Sequence, residues 1–257
     1  MIRAGVLQFA PRFGDVPGNL GRIEFLIGRS KADLWVLPEL CTTGYAFRSR
    51  AEAWSMAEPL GGETERALQR LATKTKAVFV AGFCERQGRR LFNSALVLGP
   101  GGRIGVYRKA HLFGEEKRIF RPGDALDPFP TPFGPLGVLI CYDWRFPEAA
   151  RALAMKGALV LAHPSNLVFP HAPDAMVTRA VENRVFCVTA GRTGVERGMR
   201  FHGGSQVADP EGKVLFRMGP AEEGAQVASI DPALALDKRL TPLDDIFRDR
   251  RPDLYPR

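Results

Sequence analysis

Cysteine is scarce in this chain: four residues in 257, Cys41, Cys84, Cys141 and Cys187, none of them in a C-x-x-C pair. Without that spacing, neither a disulfide framework nor a zinc site is expected. No apolar run approaches the ~18 residues that cross a bilayer. The N-terminus, MIRAGVLQFA, enters a strand pattern at once, without the apolar stretch of a signal peptide. These absences predict a cytoplasmic protein with no membrane partner. The four histidines lack ligand spacing, so no metal and no other cofactor is expected. The one glycine-rich stretch, GPGG at 99–102, has neither dinucleotide nor phosphate-loop spacing and reads as a hairpin turn.

Acidic residues are also in deficit, 28 against 36 Lys and Arg, for a net charge of +8. The basic residues are scattered apart from a loose cluster at Arg248, Arg250 and Arg251, with no zinc-finger spacing and no aromatic platform. Nucleic acid is therefore not expected as a partner, whereas an attraction for small anions fits the same charge. Composition is uniform and no internal repeat stands out, so residues 1–257 are expected to form one domain. From about residue 240 the chain becomes a polar tail with isolated Ile, Phe, Leu and Tyr. Such a tail is either frayed or pinned to a neighbouring subunit.

What is present is a rhythm of strands and helices. Residues 2–9 and 33–37 read as strands around a helix at 18–31, a β-α-β opening that implies parallel neighbours. A helix at 63–74 is followed by strands at 77–84, 91–98 and 103–107. Leu136 and residues 138–140 make a further strand, then Pro147 opens a helix that runs on through 149–155. A strand at 158–162, a helix at 174–184 and a strand at 186–190 repeat the rhythm. Strands at 205–208, 213–216 and 226–230 are expected to close the chain as an antiparallel group. Two facing sheets, each covered by helices on its outer side, bury this many apolar strands.

Three polar residues stand at the carboxyl ends of apolar strands, where α/β sheets place their chemistry: Glu39, Lys109 and Cys141. Each has a plain structural alternative: a capping or surface acid, a solvated lysine, a buried cysteine ending a core strand. Brought together they supply a base, a cation for a developing oxyanion and a nucleophile, the set that acyl transfer by a thiol requires. At a strand-to-helix corner, the thiol pKa is expected to fall below its usual ~8.5.

The stretches PELCTTGY (38–45), YRKAHLF with EKRIFRPGD (107–124) and CYDWRFPE (141–148) resemble the three signature regions of the nitrilase superfamily, the carbon–nitrogen hydrolases. The resemblance continues through HPSN, RAVENR and RRPDLY, and so spans the chain. It implies a four-layer α-β-β-α sandwich, subunits paired as a homodimer or higher oligomer, and a Glu39–Lys109–Cys141 triad. Glu116 is implied as the second glutamate that holds the lysine, and the Tyr142 N–H as a second oxyanion donor. Tyr45, Ser165, Asn166 and Arg145 are implied to line the substrate site, with Arg145 near a substrate carboxylate or else bridged to Glu148. True nitrilases have Trp-Glu after the nucleophile, whereas this chain has Tyr142-Asp143, which resembles the amidase branch. The expected activity is hydrolysis of a small aliphatic amide, ω-amidase-like. Nitriles come second and N-carbamoyl compounds third. A non-catalytic binding subunit, or a redox sensor pairing Cys141 with Cys41, is the alternative of a different class.

Overall fold

Two six-stranded sheets face one another, each built mainly from one half of the chain. The structure, a computed structural model, describes residues 1–255. The first half comprises β1 (Ile2–Gln8), α1 (Val16–Ile27), β2 (Leu34–Val36), α2 (Arg50–Met56), α3 (Glu63–Thr75), β3 (Val78–Gln87), β4 (Arg90–Gly99) and β5 (Gly102–Arg108). After α4 (Glu116–Ile119) come β6 (Phe129–Thr131), β7 (Gly134–Val138), a 3₁₀ turn (Cys141–Arg145), α5 (Pro147–Met155), β8 (Val160–Ser165), α6 (Ala172–Asn183) and β9 (Phe186–Gly191). Last are β10 (Val195–Glu196), β11 (Met199–Arg200), β12 (Gln206–Ala208), β13 (Val214–Arg217) and β14 (Gly224–Ile230).

Strand order is β14-β1-β2-β3-β4-β5 in the first sheet and β13-β12-β9-β8-β7-β6 in the second. Each has a parallel centre, β1–β2–β3 and β7–β8–β9, flanked by antiparallel strands. Period-two alternation sorts the side chains. Ala4, Val6, Leu34, Val36, Val78 and Val80 belong to the core shared with the second sheet, while Leu7, Trp35, Leu37 and Phe79 belong to the core under α1 and α3. Helices α5 and α6 cover the second sheet through Ala149, Leu153, Met176 and Ala180. The result is the four-layer α-β-β-α sandwich. Burying each large apolar side chain contributes about 1.5–3 kcal/mol, which is why both faces of each sheet are covered.

Two expectations need correcting, and one helix is added. Strand β14 leaves the closing group and pairs antiparallel with β1, Ile2 opposite Ile230, in the other sheet. No local pattern announces a pairing between residues so far apart in the chain. The strand before Cys141 is Gly134–Val138, one arm of a hairpin with β6 that the prolines at 130 and 135 conceal in the sequence. The added element is α2, which Ser49 caps by accepting a hydrogen bond from the Glu52 N–H at 3.1 Å. The GPGG turn is as expected, closing β4 on β5 with Gly99 opposite Gly102. In the predicted tail Phe247 packs on the core while Leu243 and Leu254 are exposed; its last positions, 256 and 257, lie outside the described residues.

Candidate active site

Glu39 lies just past β2, Lys109 directly after β5, and Cys141 three residues past β7. The facing of the two sheets brings these strand ends together at one rim. The backbone turns sharply there: Leu40 (φ 48°) and Cys141 (φ 41°) occupy the left-handed region, which costs a non-glycine residue on the order of 1–3 kcal/mol. The turn at 141 places the thiol in the interior beside the first sheet.

Lys109 is fully buried. Its Nζ donates to Glu39 Oε1 at 2.6 Å and to Glu116 Oε1 at 2.8 Å. Asn93 Nδ2 donates to the same Glu39 Oε1 at 2.6 Å, so that oxygen is fully engaged. The other, Oε2, is buried with no hydrogen-bond partner among the described residues. An unpartnered buried carboxylate oxygen is costly, and this one is held free by fixing its twin. The Asn166 side chain donates to the Glu39 carbonyl at 3.0 Å, and the Cys141 thiol lies 3.6 Å from the Asn166 carbonyl. Asn166 therefore ties the Glu39 backbone to the Cys141 thiol.

Burial raises Glu39 above the ordinary carboxylate range, and the Lys109 ammonium pulls back against it. Burial disfavours the Lys109 cation, but Glu116 and Glu39 outweigh it and hold the ammonium in place. The Cys141 thiol is pushed well up, by burial and then by the Glu39 charge, with Lys109 only partly opposing. This corrects the expectation of a depressed thiol pKa. A 3₁₀ turn has too few aligned peptides for a strong dipole, and two carboxylates face the sulfur. A thiol in this setting needs a base to take its proton.

The elbow is braced from behind. Asp143 Oδ2 accepts from the Ile140 N–H at 2.8 Å and the Tyr107 hydroxyl at 2.7 Å, and Oδ1 from the His111 N–H at 3.0 Å and His111 Nδ1 at 2.8 Å. His163 Nε2 donates to the Cys141 carbonyl at 2.9 Å and lies 2.9 Å from Ser165 Oγ. Tyr45 donates its hydroxyl to Glu116 Oε1 at 2.6 Å. Its backbone N–H is held at 2.8 Å by Glu196, itself in a buried ion pair with Arg192 at 2.6 Å.

Of the residues singled out in the sequence, Glu39, Lys109, Glu116, Cys141, Tyr45 and Asn166 thus converge. Ser165 is one step removed, behind the elbow. Tyr142 is half-buried, its ring 5.1 Å from that of Phe113. Arg145 is exposed, its guanidinium 5.4 Å from the centre of the Trp144 ring and not bridged to Glu148. Cys41 lies under α1 and α3, its thiol donating to the Gly82 carbonyl and pushed by burial to about 12. Cys141 belongs to the core between the sheets, so a Cys41–Cys141 pair does not form. Asn93, Asp143 and His163 are not among the site residues that the sequence pattern singles out. The signal was there for two of them, a polar side chain inside an apolar strand run (FNSALVLG and VLAHPS).

Residues 3–239 match the model of the family described as "Carbon-nitrogen hydrolase". The chain is 47% identical over 260 residues to a protein named "Nitrilase" of Pyrococcus abyssi, covering 99% of both. The crystal structure of a carbon–nitrogen hydrolase from Helicobacter pylori superposes with a TM-score of 0.89 at 30% identity, over 99% of this chain and 97% of that one. An amidase mutant from Nesterenkonia sp. AN1, with acrylamide added at its active-site cysteine, superposes with a TM-score of 0.83 at 28% identity, over 99% and 98% of the two chains.

Proposed function

Because the chain belongs to the carbon–nitrogen hydrolase family, we propose that it hydrolyses small aliphatic amides, ω-amides of dicarboxylic acids included, to the acid and ammonia through a thioester on Cys141. One observation carries the reading: Glu39 Oε1 is pinned by Lys109 and Asn93 while Oε2 is left without a partner, and the Glu39 charge, with burial, pushes the Cys141 thiol up. Glu39 takes the Cys141 proton as sulfur bonds to the carbonyl carbon. The oxyanion is met by the Lys109 ammonium and the Tyr142 N–H, each such donor being worth a factor of about 100 to 1,000. Glu39 passes its proton to the leaving nitrogen, the C–N bond breaks and ammonia departs. It then deprotonates water, whose oxygen displaces the sulfur, and the thiol recovers its proton as the acid leaves.

Tyr142-Asp143 after the nucleophile supports amides over nitriles; the name of the Pyrococcus abyssi relative supports nitriles as the second reading. N-carbamoyl compounds come third. An ammonia-release screen over short amides, ω-amides, nitriles and N-carbamoyl compounds, with intact-mass detection of an acyl adduct on Cys141, separates the three. Release from nitriles but not from amides overturns the first reading. Release from amides that survives Cys141→Ala overturns the mechanism. Exposed Leu240, Leu243 and Leu254 support the tail as a place where subunits pair, which light scattering on the purified protein tests.

A further inference from the structure

Basic residues that look dispersed along the chain converge in the fold. Arg50 of α2, Arg89 and Arg90 at the β3–β4 turn, Lys117 and Arg118 of α4 and Arg121 just beyond it line one groove of about 880 Å³. All six are exposed. Arg118 pairs with Glu115 at 3.0 Å, and Arg50 donates to the Arg89 carbonyl at 2.5 Å. Arg89, Arg90, Lys117 and Arg121 have no acidic partner among the described residues. No carboxylate lines the groove. Six cations converging on one concavity repel one another, and a concave wall of low dielectric focuses their field outward. The arrangement costs stability in the free protein, and an anion relieves the cost.

The chemistry narrows the anion. Guanidinium forks match the paired oxygens of phosphate, and cations spread along a groove match several phosphates in a row better than one. The groove holds a tryptophan, Trp54, but Arg50 and Arg86 already lie 5.4 and 5.2 Å from its ring centre. The ring therefore aligns arginines instead of offering a face to a base. We propose that this groove binds a short phosphate chain, either a free oligophosphate or the phosphate arm of a nucleoside triphosphate, recognised through its phosphates alone. The groove shares α4 with the site described above, since Glu116 begins that helix and Lys117 and Arg118 follow it. Occupancy therefore acts on the turn that holds Lys109, a consequence that rests on the hydrolase reading, whereas binding does not.

The test is calorimetric titration of the full chain, without substrate, with tripolyphosphate, ATP, orthophosphate and a short duplex DNA at matched phosphate concentration. Tripolyphosphate and ATP are expected to bind alike, orthophosphate about tenfold more weakly, and added NaCl to weaken all of them. Arg90→Gln with Arg121→Gln is expected to weaken tripolyphosphate about tenfold or more. Arg200→Gln with Lys213→Gln, the same charge removed from exposed positions elsewhere, is expected to leave binding unchanged. Thermal melts of both double variants check that they fold. Equal loss in both, no binding of tripolyphosphate, or tighter binding of duplex DNA overturns the proposal. ATP binding far more tightly than tripolyphosphate overturns recognition through phosphates alone. Saturating tripolyphosphate is further expected to change the rate of ammonia release, and an unchanged rate overturns the coupling through α4.

Discussion

Gly82 of β3 lies flat against the backbone of Glu39: a Cβ at position 82 would stand 2.5 Å from the Glu39 Cα and 2.5 Å from the Leu40 nitrogen. The Gly82 N–H also donates to the Pro38 carbonyl, and its own carbonyl accepts from the Cys41 N–H. The obstructing atoms are main chain, so no side chain can swing aside. Gly82→Ala is expected to lower stability by about 1–3 kcal/mol, the usual cost of overpacking, and to depress kcat by displacing the base. Thermal unfolding and steady-state kinetics check both. A variant with unchanged Tm and kcat would show that the backbone at 39 is not set by this contact.

The pH dependence of the reaction follows from which way Glu39 is pushed. In the proposed mechanism Glu39 must start ionised, so the rate is expected to fall as pH drops through its pKa, and burial places that limb above the ordinary carboxylate range. The hydrogen bond from Asn93 favours the ionised form and lowers the pKa. Asn93→Leu removes it, and the acid limb of kcat/KM is expected to move to higher pH. A limb that stays in place or moves to lower pH contradicts Glu39 as the titrating base.

The convergence at the candidate site is legible in the chain because its residues sit where local pattern is strongest. Glu39, Lys109 and Cys141 each follow an apolar strand within three residues, and strand ends are readable from period and composition. What was not legible is whatever a distant segment decides. The pairing of β14 with β1 is one such case. The burial that raises the Cys141 thiol is another, since a corner that looked open is closed by Glu39 and Asn166 from elsewhere in the chain. Arg145 taught the reverse: its place four residues after the nucleophile suggested a substrate contact, yet it lies out over Trp144.

His163 makes a stability prediction with a definite sign. Burial lowers its pKa from 6.5 to about 4, so it is neutral in the fold where it would be protonated in the unfolded chain. The stabilisation is complete above about pH 6.5 and declines as pH falls toward 4, by roughly 3 kcal/mol in all. His163→Gln keeps a side-chain N–H for the Cys141 carbonyl and removes the titration, so Tm should fall less steeply across that window than in the wild type. His163→Leu removes both and should lose activity where Gln retains a part. Parallel wild-type and Gln curves between pH 7 and 4 would count against a buried neutral histidine.

Arg145 tests the charge of the substrate. Exposed and lying over the Trp144 ring, it is expected to contribute equally to anionic and neutral amides. Arg145→Gln should then change KM for an ω-amide and for its uncharged analogue by the same factor, about threefold or less, as is usual for a surface substitution. A loss confined to the anionic substrate would mean that the arginine reaches into the site when a carboxylate is bound.

Asp143 carries the heaviest structural role at the elbow, because its two oxygens accept four hydrogen bonds while fully buried. Two come from His111, in the loop after Lys109, one from Tyr107 just before it, and one from Ile140 before the nucleophile. A single carboxylate thus sets the strand of the cation against the strand of the thiol. Asn in its place offers one acceptor and turns an NH₂ group toward two donors. Asp143→Asn is therefore expected to cost about 3–5 kcal/mol, the range for stranding a buried charge-assisted network, and to reduce kcat even in the folded fraction. Tyr107→Phe removes one donor and leaves three, for a loss of about 1–2 kcal/mol. Denaturant unfolding orders the two variants, and a Tyr107→Phe protein less stable than Asp143→Asn would place the brace on the tyrosine instead.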